Sequence, residues 1–175
     1  MNALSAIRME QEKDFLAVKE INDLAFGQES ESTLIGNIRN TDNYIPALSL
    51  VFENEKLEII GHILFSPITI ETKTESIPSL ALAPMAVKPD LQNQGIGSSL
   101  VKAGLKRCEE LGYKSIVVLG HPDYYPKFGF ILASEKGIKC PFEVPNEAFM
   151  VYEIKPGALN DAQGTVKYPE AFSIT

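Results

Sequence analysis

The chain has 175 residues, of which 45% are hydrophobic and 22% are charged, as in ordinary globular proteins. Its formal net charge of -7 argues against nonspecific binding to nucleic acid. No run of about 18 apolar residues is present, and the first residues lack the apolar core of a signal peptide. We therefore expect a single domain over residues 1–175 that lies in the cytoplasm and does not engage a membrane.

The two cysteines, Cys108 and Cys140, are too few for a disulfide framework or a cysteine metal site. Cys108 falls within a helical pattern, and Cys140 lies near a predicted strand. We expect both thiols to be buried and reduced, and we expect no bound metal.

The first half of the chain shows helical periodicity followed by strand patterns. The helix that begins at Gln11 should end at Phe26, because Gly27 is a good stop signal. Pro67 indicates a bend or bulge in the strand that contains it. In chain order, the predicted elements are a strand at Ala6–Met9, helices at Gln11–Phe26 and Glu31–Ile38, an antiparallel hairpin of Ala47–Phe52 with Leu57–Ile70, and a loop at Glu71–Pro78.

The second half begins with a strand at Leu80–Val87, in which Pro84 predicts a bulge or a splayed edge. A turn at Lys88–Gly97 leads into an amphipathic helix that Gly112 ends. Ser115–Leu119 is typical of a buried parallel strand, so one parallel crossover is expected. The remaining predicted elements are a turn or short helix at Pro122–Phe128, strands at Phe130–Leu132, Ile138–Val144 and Phe149–Ile154, and an aperiodic tail at Lys155–Thr175.

The turn Pro89–Ser98 joins a strand to a helix and is suited to phosphate. Gly95 and Gly97 let the backbone turn sharply and let a ligand approach its amides. The helix that follows leaves its first N–H groups unpaired and positively polarised. The P-loop and dinucleotide patterns do not fit, because the P-loop lysine is missing and the place of the third dinucleotide glycine is taken by Leu100.

The spacing Gln92-x-x-Gly95-x-Gly97 resembles the acetyl-CoA motif of the GCN5-related N-acetyltransferase (GNAT) superfamily. Downstream, Tyr125 with Gly129-Phe130 is similar to that family's Tyr-x-x-x-Gly-Phe motif. These residues, together with Tyr124 and the ending Pro156-Gly157-Ala158-Leu159, most resemble the YhbS type of bacterial acetyltransferase. The resemblance implies an α/β (α+β) fold with a mixed, mostly antiparallel twisted sheet, flanked by helices and splayed at the cofactor site.

The resemblance also implies where acetyl-CoA binds. Backbone amides from Gln94 to Ser98 should bind the pyrophosphate, and Gln92 and Asn93 should flank it. The pantetheine amides should pair with backbone edge groups of Met85 and Val87, as an added strand would. A backbone N–H near Met85 or Val87 should donate a hydrogen bond to the acetyl carbonyl. The implied cofactor-binding residues are Met85, Ala86, Val87, Gln92, Asn93, Gln94, Gly95, Ile96, Gly97 and Ser98.

Tyr125 is the implied general acid, since a neutral phenol can protonate the departing thiolate. Tyr124 is a weaker candidate because it is one residue off the family spacing. The general base stays open: many family members carry a glutamate before the turn, but residues 79–84 contain no acid. The remaining candidates are His62, which is expected to be a hydrogen-bonded core histidine, Glu71, Glu75, His121, Asp123 and a water chain.

The implied reaction is direct transfer of the acetyl group from acetyl-CoA to a primary amine of a small molecule or peptide. Two alternatives remain: a different acyl-CoA or a hydroxyl acceptor, and a sensor that binds acyl-CoA without turnover. The family resemblance also makes a homodimer an expectation.

Overall fold

A computed structural model describes residues 6–173 of the chain. The chain divides into two compact units, and the longest strands pass from one unit into the other. Of the described residues, the first unit comprises 6–66, Ala83–Arg107 and 170–173, and the second comprises Pro67–Leu82 and Cys108–Pro169.

In the first unit, helices α1 and α2 supply apolar side chains to a buried core. The core residues of this cluster are Val18, Ile35, Ile38, Val51, Leu64 and Ala171. Strand β1 pairs antiparallel with β2, and β2 pairs antiparallel with β3. The bounds are β1 Ile7–Met9, α1 Phe15–Phe26, α2 Ser30–Arg39, β2 Ser49–Glu53, β3 Ile59–Glu71, β4 Ser76–Val87 and α3 Ile96–Glu110, with β3, β4 and α3 each extending into the second unit.

In the second unit, β4 pairs in parallel with β5, which confirms the predicted crossover. Strand β5 pairs antiparallel with β8, and β8 with β6. On the other side of the unit, β9 pairs antiparallel with β3 and in parallel with β7. The bounds are β5 Ser115–Leu119, β6 Ile131–Leu132, β7 Ile138–Lys139, β8 Phe149–Glu153 and β9 Gly164–Lys167.

Most predicted elements are confirmed, and the first helix ends at Phe26, before Gly27, as expected. Four predictions were wrong in extent: the first helix begins at Phe15, after a 3₁₀ helix at Glu12–Asp14, rather than at Gln11, the loop at Glu71–Pro78 shrinks because β4 already begins at Ser76, the strand from Ile138 ends at Lys139, and the tail contains β9. Within residues 6–173 neither cysteine is in a disulfide; Cys108 is buried as expected, but Cys140 is only partly buried.

The two prolines lie within continuous strands, Pro67 in β3 and Pro84 in β4. The register of β4 with β5 covers Leu80–Leu82 and therefore ends before Pro84. A proline has no N–H to donate to a ladder, which is consistent with pairing that stops there. None of the helices within residues 6–173 is long and apolar enough to cross a membrane.

Candidate functional site

The predicted cofactor turn of the first unit is exposed from Gln92 to Gly95 and is shaped by left-handed backbone. After β4, a short 3₁₀ helix at Pro89–Leu91 leads to Gln92 in extended conformation. Asn93 and Gly95 then have φ of 66° and 85°. Asparagine and glycine are the residues that tolerate this conformation best, so both residue types suit their positions. The side-chain amide of Gln92 donates to the Val87 carbonyl at 3.2 Å and ties the turn to β4.

Helix α3 begins at Ile96, directly after this turn. The N–H of Ser99 donates to the Gly95 carbonyl at 3.0 Å, which places the first helical hydrogen bond at the turn itself. The amides of Ile96 and Gly97 therefore have no acceptor within the helix, as at any helix start. With the partial positive charge of the helix N-terminus, they form a site that favours an anion.

Close packing holds the start of α3 against β3. A Cβ built on Gly61 in β3 would lie 2.9 Å from Leu100 Cδ1 and 3.1 Å from Ile96 Cγ2. Further along α3, a Cβ on Gly104 would lie 2.4 Å from Cε1 of Phe65. The two glycines thus set the distance between helix and strand, and sequence reasoning did not identify either one.

The predicted pantetheine residues form the end of β4. Ala86 and Val87 are buried, and Met85 is partly exposed. The N–H of Lys88 donates to the Ile60 carbonyl at 2.9 Å, so the end of β4 is anchored next to β3. The structure therefore places all ten predicted cofactor residues in the first unit, on one continuous segment from the end of β4 to the start of α3.

Tyr125 lies in the second unit, at the start of a 3₁₀ helix at Tyr125–Phe128. Its side chain is 6% exposed. Edge contacts join its ring to those of Tyr124 and Phe130, with ring centroids 5.2 Å and 5.5 Å away. Burial raises the pKa of the Tyr125 phenol above its ordinary value, so the phenol keeps its proton at neutral pH.

The candidate bases differ in their burial. His121, Asp123 and Glu75 are exposed, and Glu71 is partly exposed. Hydrogen bonds from Ser76 and Thr69 lower the pKa of the Glu71 carboxyl. His62 is fully buried in β3, and burial lowers its pKa to about 3. His62 is thus the neutral, hydrogen-bonded core histidine that the sequence predicts, and it is no base for an exposed amine.

His62 belongs to a polar group in the first unit that sequence reasoning missed, in which three residues are buried and two are partly buried. We call Glu10, Arg39, Tyr44, Ser49 and His62 the Glu10 cluster. Oxygen Oε1 of Glu10 accepts hydrogen bonds from the Tyr44 hydroxyl at 2.8 Å and the Ser49 hydroxyl at 3.0 Å. Its Oε2 accepts from the Arg39 guanidinium, which also lies 3.7 Å from the ring centroid of Phe15.

The cluster fixes the tautomer of His62. Ser49 Oγ lies 3.1 Å from His62 Nε2, and the Ser49 proton is already donated to Glu10. Nε2 must therefore carry the imidazole proton and donate it to Ser49, which leaves Nδ1 as a bare acceptor. Nδ1 is buried and has no hydrogen-bond partner among the described residues. Burial and the bond to Glu10 also raise the pKa of Tyr44 to about 12, so its phenol remains a donor.

Comparisons with known proteins identify the family of the chain. Residues 10–130 match the acetyltransferase (GNAT) family, and the chain therefore belongs to that family. It is 32% identical over 167 residues to the uncharacterised N-acetyltransferase YhbS of Escherichia coli K12, covering 95% of this chain and 98% of YhbS. The family membership confirms the resemblance inferred from Gln92, Gly95 and Gly97.

Solved structures confirm the fold. The chain superposes on Escherichia coli YhbS in complex with CoA with a TM-score of 0.88 and 31% identity, covering 95% of this chain and 91% of that one. A GNAT-family acetyltransferase of Brucella melitensis in complex with acetyl-CoA gives a TM-score of 0.77 and 28% identity, covering 95% and 96%. The predicted mixed, mostly antiparallel sheet with flanking helices is thus confirmed.

Proposed function

We propose that this chain transfers an acetyl group from acetyl-CoA directly to a primary amine of a small molecule or peptide. The observation that carries the proposal is the turn from Gln92 to Gly97, which is exposed at Gln92–Gly95 and whose left-handed residues Asn93 and Gly95 lead into the amides of Ile96 and Gly97 at the start of α3. Relatives with the same fold bind CoA and acetyl-CoA, which supports the cofactor.

In this proposal, the first unit binds the donor through its backbone. Amides from Gln94 to Ser98 bind the pyrophosphate, with Gln92 and Asn93 beside it, and α3 adds its N-terminal dipole. The end of β4 offers Met85 and Val87 to the pantetheine, as in the addition of a strand to a sheet edge. Because amides rather than lysines hold the diphosphate, binding is compatible with the net charge of -7.

The chemical step in this proposal is attack of the neutral amine nitrogen on the thioester carbon. The N–C bond forms, the C–S bond breaks, and the acetyl oxygen carries negative charge in between, where a backbone N–H near Met85 or Val87 stabilises it. The departing thiolate takes the phenol proton of Tyr125, and the excess proton on nitrogen passes to water. The phenoxide of Tyr125 is then reprotonated from solvent.

The proposal is tested in two stages with the purified protein. First, CoA is titrated into the protein in a calorimeter, and binding is expected. Second, acetyl-CoA is mixed with a panel of amino acids, polyamines, aminoglycosides and short peptides, and released CoA thiol is measured. Turnover that requires one class of amine, with the acetylated product identified by mass, supports the proposal.

The alternatives give different outcomes. CoA binding without thiol release on any amine favours the sensor. Release only with a longer acyl-CoA, or with an alcohol, identifies a different acyltransferase. A chain that does not bind CoA at all contradicts both the transferase and the sensor.

A further inference from the structure

Gly120 lies against the Cε2 edge of the ring of Tyr125 in the second unit. A Cβ built on Gly120 would lie 2.4 Å from Tyr125 Cε2, 3.0 Å from Cδ2 and 3.4 Å from Cζ. The backbone of Gly120 is outside the left-handed region, so its conformation is open to any residue. What the position requires is therefore space for the ring, and glycine alone provides it.

The backbone of Gly120 cannot easily move away from the ring. Gly120 follows β5, and its N–H donates to the Ala148 carbonyl at 2.9 Å. Their chain neighbours, Leu119 and Phe149, are in register with each other in the ladder of β5 with β8. A side chain at position 120 would consequently displace the tyrosine ring rather than the strand.

The ring has few directions in which to move. The rings of Tyr124 and Phe130 contact that of Tyr125 at interplanar angles of 86° and 68°. Phe130 in turn contacts Tyr152, at a ring-centroid distance of 5.3 Å. Ordinary carbon contacts are about 3.5–4.0 Å, so a methyl group at Gly120 would push the ring by about 1 Å.

We propose that Gly120 is a positioning residue that sets where the Tyr125 hydroxyl lies for proton donation to the departing CoA thiolate. This inference rests on the proposed function, in which Tyr125 is the general acid. A shift of about 1 Å in a reacting group can lower a rate by about 100-fold. Gly120 itself touches no reacting atom and acts only through the ring.

The test compares Gly120→Ala, Tyr125→Phe and the double variant, with acetyl-CoA and the best amine of the panel. We expect kcat to fall about 100-fold in each single variant, while the KM for acetyl-CoA changes less than about threefold. The double variant should be no more than about threefold slower than Tyr125→Phe, because a positioning residue has nothing to position once the hydroxyl is gone.

A second readout does not depend on turnover. Nitration by tetranitromethane, with the modified residue identified by peptide mapping, should leave Tyr125 protected in the native protein and expose it in Gly120→Ala. If Gly120→Ala is too unstable to assay, the loss of Tm caused by Gly120→Ala is measured in two backgrounds, the native protein and the Tyr125→Leu variant. The loss should be smaller in the Tyr125→Leu background, because the flexible leucine can yield to the new methyl group.

The matched control is Gly137→Ala, also in the second unit, where a Cβ would lie 2.8 Å from Gln163 Cγ at φ of +70°. It should lower Tm and leave kcat unchanged. The inference is overturned by any of three results. These are a native kcat in Gly120→Ala, effects of the two substitutions on kcat that multiply in the double variant, and an equal loss of Tm from Gly120→Ala whether residue 125 is tyrosine or leucine. Native kcat in Tyr125→Phe instead removes the tyrosine from the proposed function, so the two failures are distinguishable.

Discussion

The cofactor turn and the Glu10 cluster lie in the same unit but are built in opposite ways. The turn, Gln92–Gly97, is exposed at Gln92–Gly95, where Asn93 and Gly95 set the backbone conformation, and only its Ile96 side chain packs against β3. In the cluster, Glu10, Ser49 and His62 are buried and interact through side chains. The turn therefore depends on which residues tolerate its φ angles, and the cluster depends on which side chains meet.

This difference predicts separable effects of mutation. A change in the turn should alter CoA affinity with a small loss of stability, since an exposed turn supports little packing. A change in the cluster should lower the free energy of unfolding strongly, since it leaves a buried polar group without its partner. The following variants test that separation.

The largest effect is expected from Glu10→Gln. Removing the carboxylate charge leaves the Arg39 guanidinium, whose side chain is 15% exposed, without its ionic partner. We expect the free energy of unfolding to fall by about 3–5 kcal/mol. Urea denaturation measures the change, and calorimetry on the folded protein should give a native Kd for CoA.

Glu12→Gln is the matched control, because Glu12 is two residues away and exposed. It should change stability by less than about 0.5 kcal/mol. A loss of similar size in both variants would mean that the cluster adds no more to stability than a surface carboxylate. A large loss of CoA affinity in Glu10→Gln would contradict the prediction that the cluster acts on stability and the turn acts on CoA binding.

His62 should make stability depend on pH. Its pKa is about 3 in the folded protein, against an ordinary value of 6.5 in the unfolded chain. The unfolded chain therefore binds the proton first as pH falls, and the contribution of neutral His62 is present above 6.5 and lost as pH falls toward 3. Between about pH 7 and about pH 5 the loss should be about 2 kcal/mol.

The measurement is the free energy of unfolding of His62→Gln and the native protein at each pH. The variant should be less stable at neutral pH, and its stability should fall less on acidification. His121→Gln replaces the exposed histidine and should follow the native pH profile. Parallel profiles for His62→Gln and the native protein would show that His62 titrates alike in both states.

The smallest energetic effect, and the most specific, is expected from Gly95→Ala. Gly95 and Gly112 flank the two ends of α3 and share φ of +85°, and among residues 6–173 no atom beyond the adjacent residues lies within 4 Å of a Cβ added to either one. Alanine at either position should cost about 1 kcal/mol of stability. Only Gly95→Ala should weaken CoA binding, by about tenfold, because in the proposed binding mode the diphosphate lies on the amides of that turn and not at Gly112.

Calorimetric titration with CoA measures both variants, and Gly112→Ala is the control for backbone strain. Equal Kd values in the two variants would contradict the assignment of the diphosphate to the turn. A loss of affinity in both would indicate that CoA responds to the stability of α3 rather than to the geometry of the turn.

Strand and helix positions were largely predictable where burial is periodic, as in α3 and β5. The prediction failed at β9, because Gly164–Lys167 becomes a strand only by pairing with β3 and β7. A Cβ on Gly164 would lie 2.1 Å from the Glu71 carbonyl oxygen, a close approach that no local pattern indicates. Pairing between distant segments also explains why the strand predicted from Ile138 was too long. The ladder of β7 with β9 includes only Ile138 and Lys139 of that segment.

The sequence by itself determined the turn, because Asn93 and Gly95 are residue types that tolerate left-handed φ angles. The start of any helix, α3 included, also leaves its first amides without acceptors in the helix. Only the tertiary structure decided that Glu10, Arg39, Tyr44, Ser49 and His62 share one hydrogen-bonded cluster, and that Gly120 makes room for Tyr125. Backbone conformation is set by residues next to one another in the chain. Contacts between side chains depend on how distant segments pack, and the spacing of the residues in the sequence does not indicate that packing.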